Sequence, residues 1–225
     1  GKNKNYYNNI KTNNFFKKKI NKNFIIKHNK DIKLSINYED QILNIYQQNS
    51  YGRAIIYGKE MRDWQVNFFG SKKKKEKLAI KNYQSLNGCI TFVDIKLIEA
   101  NLFAKDSKCE DAINLVRTKG NINKIEISNS LYDGLDIDFS SLSINEISVN
   151  NSMNDCVDLS FGDYEINNSK LSNCGDKGIS IGEKSYVRLN SIKVLNVNTG
   201  IASKDSSVVK VNDSNINNTK ICLSA

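Results

Sequence analysis

The stretch from Asp111 to Ala225 decides the fold, because it repeats itself every 22 residues. Its six windows read DAINL (111–115), DGLDI (133–137), DCVDL (155–159), KGISI (177–181), TGIAS (199–203) and ICLSA (221–225). The second position of each window is Ala, Gly or Cys, and the third is always aliphatic. A fixed period in the low twenties is typical of a solenoid. Apolar and polar residues alternate within the windows, which indicates a strand with one face inward.

A second strand follows each window and ends at a recurring asparagine. In every repeat one or two aliphatic residues come just before this Asn, so both features are expected to stack from one coil to the next. The asparagines are Asn129, Asn151, Asn173, Asn196 and Asn218.

These two strands per repeat predict an all-β fold, a single-stranded right-handed parallel β-helix with 22-residue coils. The Leu-x-x-Leu-x-Leu frame of a leucine-rich repeat is absent, and left-handed β-helices use hexapeptide periods. The register also predicts that Phe139 lies over Phe161, and that one buried column joins four aliphatic residues: Leu135, Val157, Ile179 and Ile201.

The 225 residues divide by composition into three parts of one domain. Residues 1–20 are rich in Asn and Lys and are expected to be poorly ordered. Residues 21–108 contain short alternating runs that predict irregular early coils, and residues 109–225 are the regular coils. Because an uncovered solenoid end requires a cap, we expect coils to continue beyond Ala225. No run of 18 apolar residues is present, so no membrane span is predicted.

Charge is unevenly distributed, with +12 in residues 1–80 and −3 in the remainder. The run from Lys72 to Lys75, with Lys77, could contact nucleic acid or another polyanion, or could be a solvated basic loop. Aromatic residues are not interleaved with these lysines, as a stacking platform requires, so the solvated loop is favoured and nucleic acid is not the expected partner.

The five cysteines and the one histidine do not indicate a metal site or a catalytic mechanism. Cys156 and Cys222 share a row three coils apart, roughly 14 Å, which is beyond disulfide reach. No Cys-x-x-Cys pair indicates zinc. We therefore expect buried free thiols that fill small positions, and no mechanism built on His28.

Carboxylates cluster instead. Asp136 and Asp158 occupy the same outward position in neighbouring coils, and Asp138 adds a third carboxylate. Asp133 and Asp155 form a parallel pair one row earlier, with Lys177 on the next coil. Such pairs can supply the acid and base of glycoside hydrolysis, or oxygen ligands for Ca²⁺ from Asp136 and Asp158. The alternative for Asp133 and Asp155 is that they cap turns through backbone amides.

The run DGLDID (133–138), then NDCVDLS (154–160) and GDKGISIGEKS (175–185), resembles the polygalacturonase family of glycoside hydrolases, which are right-handed β-helix enzymes of the pectin-lyase-like superfamily. The resemblance implies a catalytic Asp133 and a general acid at Asp155. Asn154 stands where the family has another catalytic Asp, and Lys177 stands where it has His. Because an ammonium beside Asp155 is expected to lower the pKa of that carboxyl, hydrolysis of polygalacturonate is not expected.

The strings CEDAINLV, DGLDIDFS, DKGISIGEKS and GIASKDSS are similar to uncharacterised bacterial β-helix proteins, a resemblance that covers more of the chain. Together these features predict a module that binds or processes a carbohydrate polymer, at the cell surface or outside the cell by analogy of fold. A lyase-like reaction with Ca²⁺ stays open, as does the alternative of a structural or adhesive surface repeat without chemistry. Catalysis would involve Asp133, Asp155 and Lys177; substrate binding would involve Asp136, Asp138, Asp158, Ser180 and Lys204.

Overall fold

The computed structural model describes residues 15–72 and 87–225. This part of the chain contains eighteen strands and no helix. The strands are β1 (Phe16–Lys19), β2 (Phe24–His28), β3 (Ile32–Asn37), β4 (Ile42–Gln47), β5 (Ala54–Gly58), β6 (Glu60–Arg62), β7 (Gln65–Phe69), β8 (Gly88–Val93), β9 (Lys96–Lys105), β10 (Asp111–Val116), β11 (Lys119–Ser130), β12 (Asp133–Asp138), β13 (Ser141–Ser152), β14 (Val157–Ser160), β15 (Asp163–Cys174), β16 (Lys177–Gly182), β17 (Tyr186–Ser203) and β18 (Val208–Ser224).

The strands stack as a parallel β-helix of about eight turns, with coils about 22 residues apart, which confirms the predicted fold class. A first ladder of short strands joins β5, β8, β10, β12, β14 and β16 in parallel. A second ladder joins the longer strands β9, β11, β13, β15, β17 and β18. No helix in the described residues is long and apolar enough to cross a membrane.

The predicted aliphatic column lies in the core of the first ladder. Leu135 pairs with Val157, Val157 with Ile179, and Ile179 with Ile201, each one coil further along. All four side chains are buried. Aromatic stacking at the adjacent turn is also confirmed, since the rings of Phe139 and Phe161 lie 4.7 Å apart and nearly parallel.

The recurring asparagines are joined from coil to coil by side-chain hydrogen bonds, except that Asn173 donates to Asn150 and not to Asn151. Asn151 donates to the side-chain oxygen of Asn129 at 2.8 Å, and Asn196 donates to that of Asn173 at 2.9 Å. All five asparagines have φ between 52° and 66°, a left-handed conformation that Asn tolerates better than most residues. The ladder therefore satisfies side-chain amides at a turn whose backbone favours Asn.

Within the N-terminal part, the strand pairing changes from antiparallel to parallel. Strand β1 pairs antiparallel with β2, β2 with β5, and β3 with β4 as a hairpin, so parallel stacking begins only with the β4–β7 and β5–β8 pairs. Phe24 and Trp64 are buried here in edge-to-face contact. Antiparallel strands at this end cover the core, as the end of a solenoid requires.

Two further sequence predictions concern the basic N-terminal part. Of the segment 1–20 that was expected to be poorly ordered, Phe16–Lys19 forms β1, and residues 1–14 lie outside the described residues. Of the lysine run, only Lys72 is described, so the predicted basic loop at Lys73–Lys75 and Lys77 lies outside the described residues.

The prediction of free cysteines is wrong for four of the five. Disulfides join Cys89 to Cys109 and Cys156 to Cys174, with Cα–Cα distances of 5.3 and 5.6 Å. Each disulfide joins two cysteines of the same coil, 20 and 18 residues apart. The 22-residue period relates only cysteines in the same row of different coils, so it does not indicate these pairs. Cys222 is free and exposed.

Candidate functional site

An acidic strip runs along the outer face of the first ladder, and we define it as Asp133, Asp136, Asp138 and Asp158. Asp136 pairs in register with Asp158 on the next coil, as predicted. All four residues are half-buried and lie on strands β12 and β14. The structure thus brings together Asp136, Asp138 and Asp158, which the sequence placed in an outward group, with Asp133, which it placed one row earlier.

A buried polar cluster borders this strip on the N-terminal side. The Asn114 side chain donates from Nδ2 to Asp136 at 2.8 Å, and both Asn114 and Asp111 are almost fully buried. Within the described residues, Oδ1 of Asn114 and Oδ2 of Asp111 have no hydrogen-bond partner. Both residues were missed as site residues, although they occupy the same rows as Asp136 and Asp133 one coil earlier.

Glu183 lies at the C-terminal side of the strip and was not among the predicted site residues. Glu183 accepts a hydrogen bond from the hydroxyl of Ser160 at 2.6 Å. Ser160 follows Asp138 in register, so Glu183 extends the acidic surface by one coil. Only its place at the turn directly after strand β16 could have signalled this role.

The remaining predicted binding residues take different positions. Ser180 pairs in register with Asp158 on the next coil but is buried, so its hydroxyl is not exposed to solvent. Lys204 is exposed, and its charge acts to lower the pKa of Asp158. Lys204 is therefore the cation close to the C-terminal end of the strip.

Asp133 and Asp155 cap the backbone of the following coil. Asp133 accepts from the amide N–H of Asp155 at 2.7 Å, and Asp155 accepts from the amide N–H of Lys177 at 2.8 Å. The Lys177 ammonium lies 3.5 Å from the Asp155 carboxylate and also contacts Asp176. These contacts match the capping alternative; the catalytic assignment of Asp133, Asp155 and Lys177 stays a prediction.

Burial raises the pKa of six aspartates on the first ladder: Asp111, Asp133, Asp136, Asp138, Asp155 and Asp158. It raises the pKa of Asp155 to about 6, even though the backbone hydrogen bond and charge of Lys177 act to lower it. The expected direction, a lowered pKa at Asp155, was wrong because desolvation of the carboxylate outweighs the nearby ammonium. Burial and the charge of Asp158 raise the pKa of Asp138 to about 6.

Asp136 and Asp111 are the two aspartates whose pKa values are raised well above the usual range. Burial, followed by the charge of Asp111, raises the pKa of Asp136 well above its usual range. Burial and the charge of Asp133 do the same for Asp111. Burial and the repulsion between these carboxyl groups therefore both favour their protonated forms.

An aromatic edge lies beside the strip. Phe139 directly follows Asp138 and Phe161 directly follows Ser160, at the turn where the first ladder ends. The two stacked rings are 39% and 43% exposed, which is high for phenylalanine. Apolar ring surface and hydrogen-bond acceptors are thus presented side by side.

No metal centre is assigned to the strip. Among the described residues, no group of three or more His, Cys, Asp or Glu side chains could hold a metal ion. Ca²⁺ takes 6–8 oxygen ligands, and Asp136 with Asp158 would supply only part of such a set. The Ca²⁺ site at these two residues stays a prediction from the sequence.

Comparison with known proteins adds no identification. No protein-family model matches the chain, and no curated protein or solved structure matches it. The resemblance to pectin-lyase-like proteins therefore stands on the quoted motifs and the parallel β-helix alone.

Proposed function

We propose that this protein binds a neutral carbohydrate polymer along the acidic strip and the adjoining Phe139–Phe161 edge. One observation carries the proposal: Asp136 and Asp158 stand on consecutive coils in a half-buried row, beside two exposed stacked aromatic rings. A long shallow face on a solenoid suits an extended ligand.

Carboxyl groups and aromatic rings are complementary to the two kinds of surface on a sugar. Sugar hydroxyls donate hydrogen bonds to carboxylate oxygens, and such charge-assisted bonds are stronger than neutral ones. The C–H face of a pyranose ring is apolar and packs against exposed aromatic surface. Because the strip carries several acidic groups, a polymer of uronic acids would be repelled from it.

The two disulfides support a location where such polymers occur. Disulfides persist in oxidising compartments and are rare in the cytosol. Cys89–Cys109 and Cys156–Cys174 therefore favour a secreted or cell-surface protein, consistent with the expectation from the fold.

Binding without turnover fits the site better than catalysis. An inverting glycosidase places its acid and base on opposite sides of the bond to be cleaved. Here the Asp133 and Asp155 carboxylates accept backbone hydrogen bonds, and Asp155 is also 3.5 Å from an ammonium. One oxygen of each carboxylate is thus already engaged in capping the next coil, which favours a structural role for the pair.

The alternative is a structural or adhesive repeat that binds no sugar, which the capping role of Asp133 and Asp155 favours. Calorimetric titration with mannan, xylan, mixed-linkage glucan and chitin oligosaccharides, with and without Ca²⁺, separates the two. At least one neutral polymer should bind, and Asp158→Asn with Phe161→Ser should weaken that binding roughly tenfold or more, as expected for central interface residues.

The matched control is Glu126→Gln, which removes an exposed carboxylate from the second ladder. This variant should bind as the unmodified protein does. If no neutral polymer binds, or if the strip and control variants behave alike, the structural-repeat alternative replaces the proposal.

A further inference from the structure

A second row of exposed side chains combines aromatic rings with lysines, on the side of the helix formed by β3, β4, β7 and β9. Lys33 pairs in register with Tyr46, Tyr46 with Phe69, and Phe69 with Lys105. All four side chains are exposed. The two rings stack at 5.2 Å with an angle of 16°, so the row reads cation, ring, ring, cation.

A cavity of about 670 Å³ adjoins this row. It is lined by Tyr46 and Phe69 together with Gln48, Ser71 and Lys72. Its volume lies within the range of small-molecule sites, and its lining offers ring surface, an amide and a third ammonium. The cavity therefore shares Tyr46 and Phe69 with the row and is large enough for a sugar unit.

The charge on this surface is not neutralised by its surroundings. Among the ion pairs formed by the described residues, none involves Lys33, Lys72 or Lys105. The acidic residue beside Lys105, Asp106, accepts a hydrogen bond from the side chain of Asn129, and Asp31, two residues before Lys33, accepts one from the side chain of Asn49. Three ammonium groups are thus free to attract an anion.

We infer that this lysine–aromatic row, defined as Lys33, Tyr46, Phe69, Lys105 and Lys72, binds an acidic polysaccharide. Carboxylate or sulfate groups of the polymer pair with the lysines, and its sugar rings lie on the exposed surface of Tyr46 and Phe69. The site is separate from the acidic strip, carries the opposite charge, and does not depend on that proposal.

Single-stranded nucleic acid is the alternative polyanion. The exposed surface of the stacked Tyr46 and Phe69 rings suits a base as well as a sugar ring, so the rings do not decide between the two. The disulfides favour an oxidising compartment, where we expect acidic polysaccharide to be the polyanion.

The test measures binding of the full chain to polygalacturonate, to a sulfated glycosaminoglycan and to a single-stranded oligonucleotide, at low and physiological salt. Polygalacturonate or the glycosaminoglycan should bind more tightly than the oligonucleotide, with affinity that falls as salt screens the lysines. A Tyr46→Ser/Phe69→Ser double variant should lose roughly tenfold in affinity. A Lys33→Gln/Lys105→Gln variant should lose affinity and salt dependence together.

Matched controls separate this site from the acidic strip. Lys170→Gln/Lys193→Gln removes two exposed lysines from the second ladder, and Phe139→Ser removes an exposed ring from the strip edge. Both should bind the acidic polymer as the unmodified chain does. Tighter binding of the oligonucleotide, no binding of either acidic polymer, or equal losses in control and test variants would overturn the inference.

Discussion

The Lys177 ammonium lies 3.5 Å from the carboxylate of Asp155, which also accepts the backbone amide of Lys177 at 2.8 Å. One aspartate thus holds both the main chain and the side chain of the next coil. Since Asp155 is almost fully buried, this pair replaces the water that the carboxylate has lost.

Loss of this ammonium should destabilise the protein. Lys177→Met leaves a buried carboxyl with a further raised pKa, and we expect a loss of ~1–3 kcal/mol at pH 7, since Lys177 itself is partly exposed. Denaturant unfolding measures it. Lys184→Met, which changes an exposed lysine at a nearby turn, should have little effect. Equal stabilities of the two variants would contradict the paired role of Lys177.

Neither the unmodified protein nor Asp155→Asn should hydrolyse polygalacturonate, because the residue beside Asp155 is Asn154, whose amide cannot act as a base, and Lys177 engages the Asp155 carboxylate. Reducing-sugar release over several hours is the measurement. Turnover that is lost in Asp155→Asn and kept in Asp136→Asn would instead restore the polygalacturonase assignment.

The aliphatic column should not tolerate a charge. Val157→Asp places a carboxylate between Leu135 and Ile179, in a position with no partner, and should cost several kcal/mol and prevent cooperative folding. Val208→Asp is the matched control, since Val208 is 51% exposed. Circular dichroism melting should show a native-like transition for the control alone; a normal transition in Val157→Asp would refute the column.

The Cys156–Cys174 disulfide should contribute to stability mainly by restricting the unfolded chain. Its closure of a short loop predicts that a Cys156→Ala/Cys174→Ser variant loses ~2–4 kcal/mol. Cys222→Ala, which removes the free thiol, should leave stability unchanged. Thiol counting under denaturing conditions provides a direct check: one reactive thiol before reduction is expected, and five would exclude both disulfides.

Stability should decrease as pH rises from about 4 to 7. The folded state raises the pKa of Asp138 and Asp155 to about 6, so it binds protons that the unfolded chain has already released in this range. Each pKa unit corresponds to ~1.4 kcal/mol, so the melting temperature should fall by several degrees. Asp138→Asn should flatten this dependence, and Glu126→Gln should not. A melting temperature that rises over the same interval would contradict the claim that burial raises the pKa values of these carboxyl groups.

The repeat allowed the periodic features to be predicted, because a solenoid places residues 22 apart on top of one another. The Leu135–Val157 column, the Asn129–Asn151 ladder and the Asp136–Asp158 pair all follow from this register. The coil corner could not be predicted in this way. Cys156 and Cys174 meet across it within a single coil, a contact that a comparison of rows does not contain.

Burial was the other property that the repeat did not determine. Ser180 occupies an outward row yet is buried, and desolvation reverses the expected direction of the pKa of Asp155. The antiparallel strands near the N-terminus likewise lack the period, so their pairing was not predictable from the regular coils. Lys33 and Tyr46 became neighbours only through that pairing.

The most direct test of carbohydrate binding at the acidic strip is a map of amide chemical shifts during titration with the neutral polymer that binds most tightly, used as short oligosaccharides. We predict that the perturbed amides cluster at residues 133–139 and 155–161 and that the perturbations disappear in Asp136→Asn/Asp158→Asn. Perturbations confined to the second ladder, or unchanged perturbations in the double variant, would contradict the assignment of the strip as the binding surface.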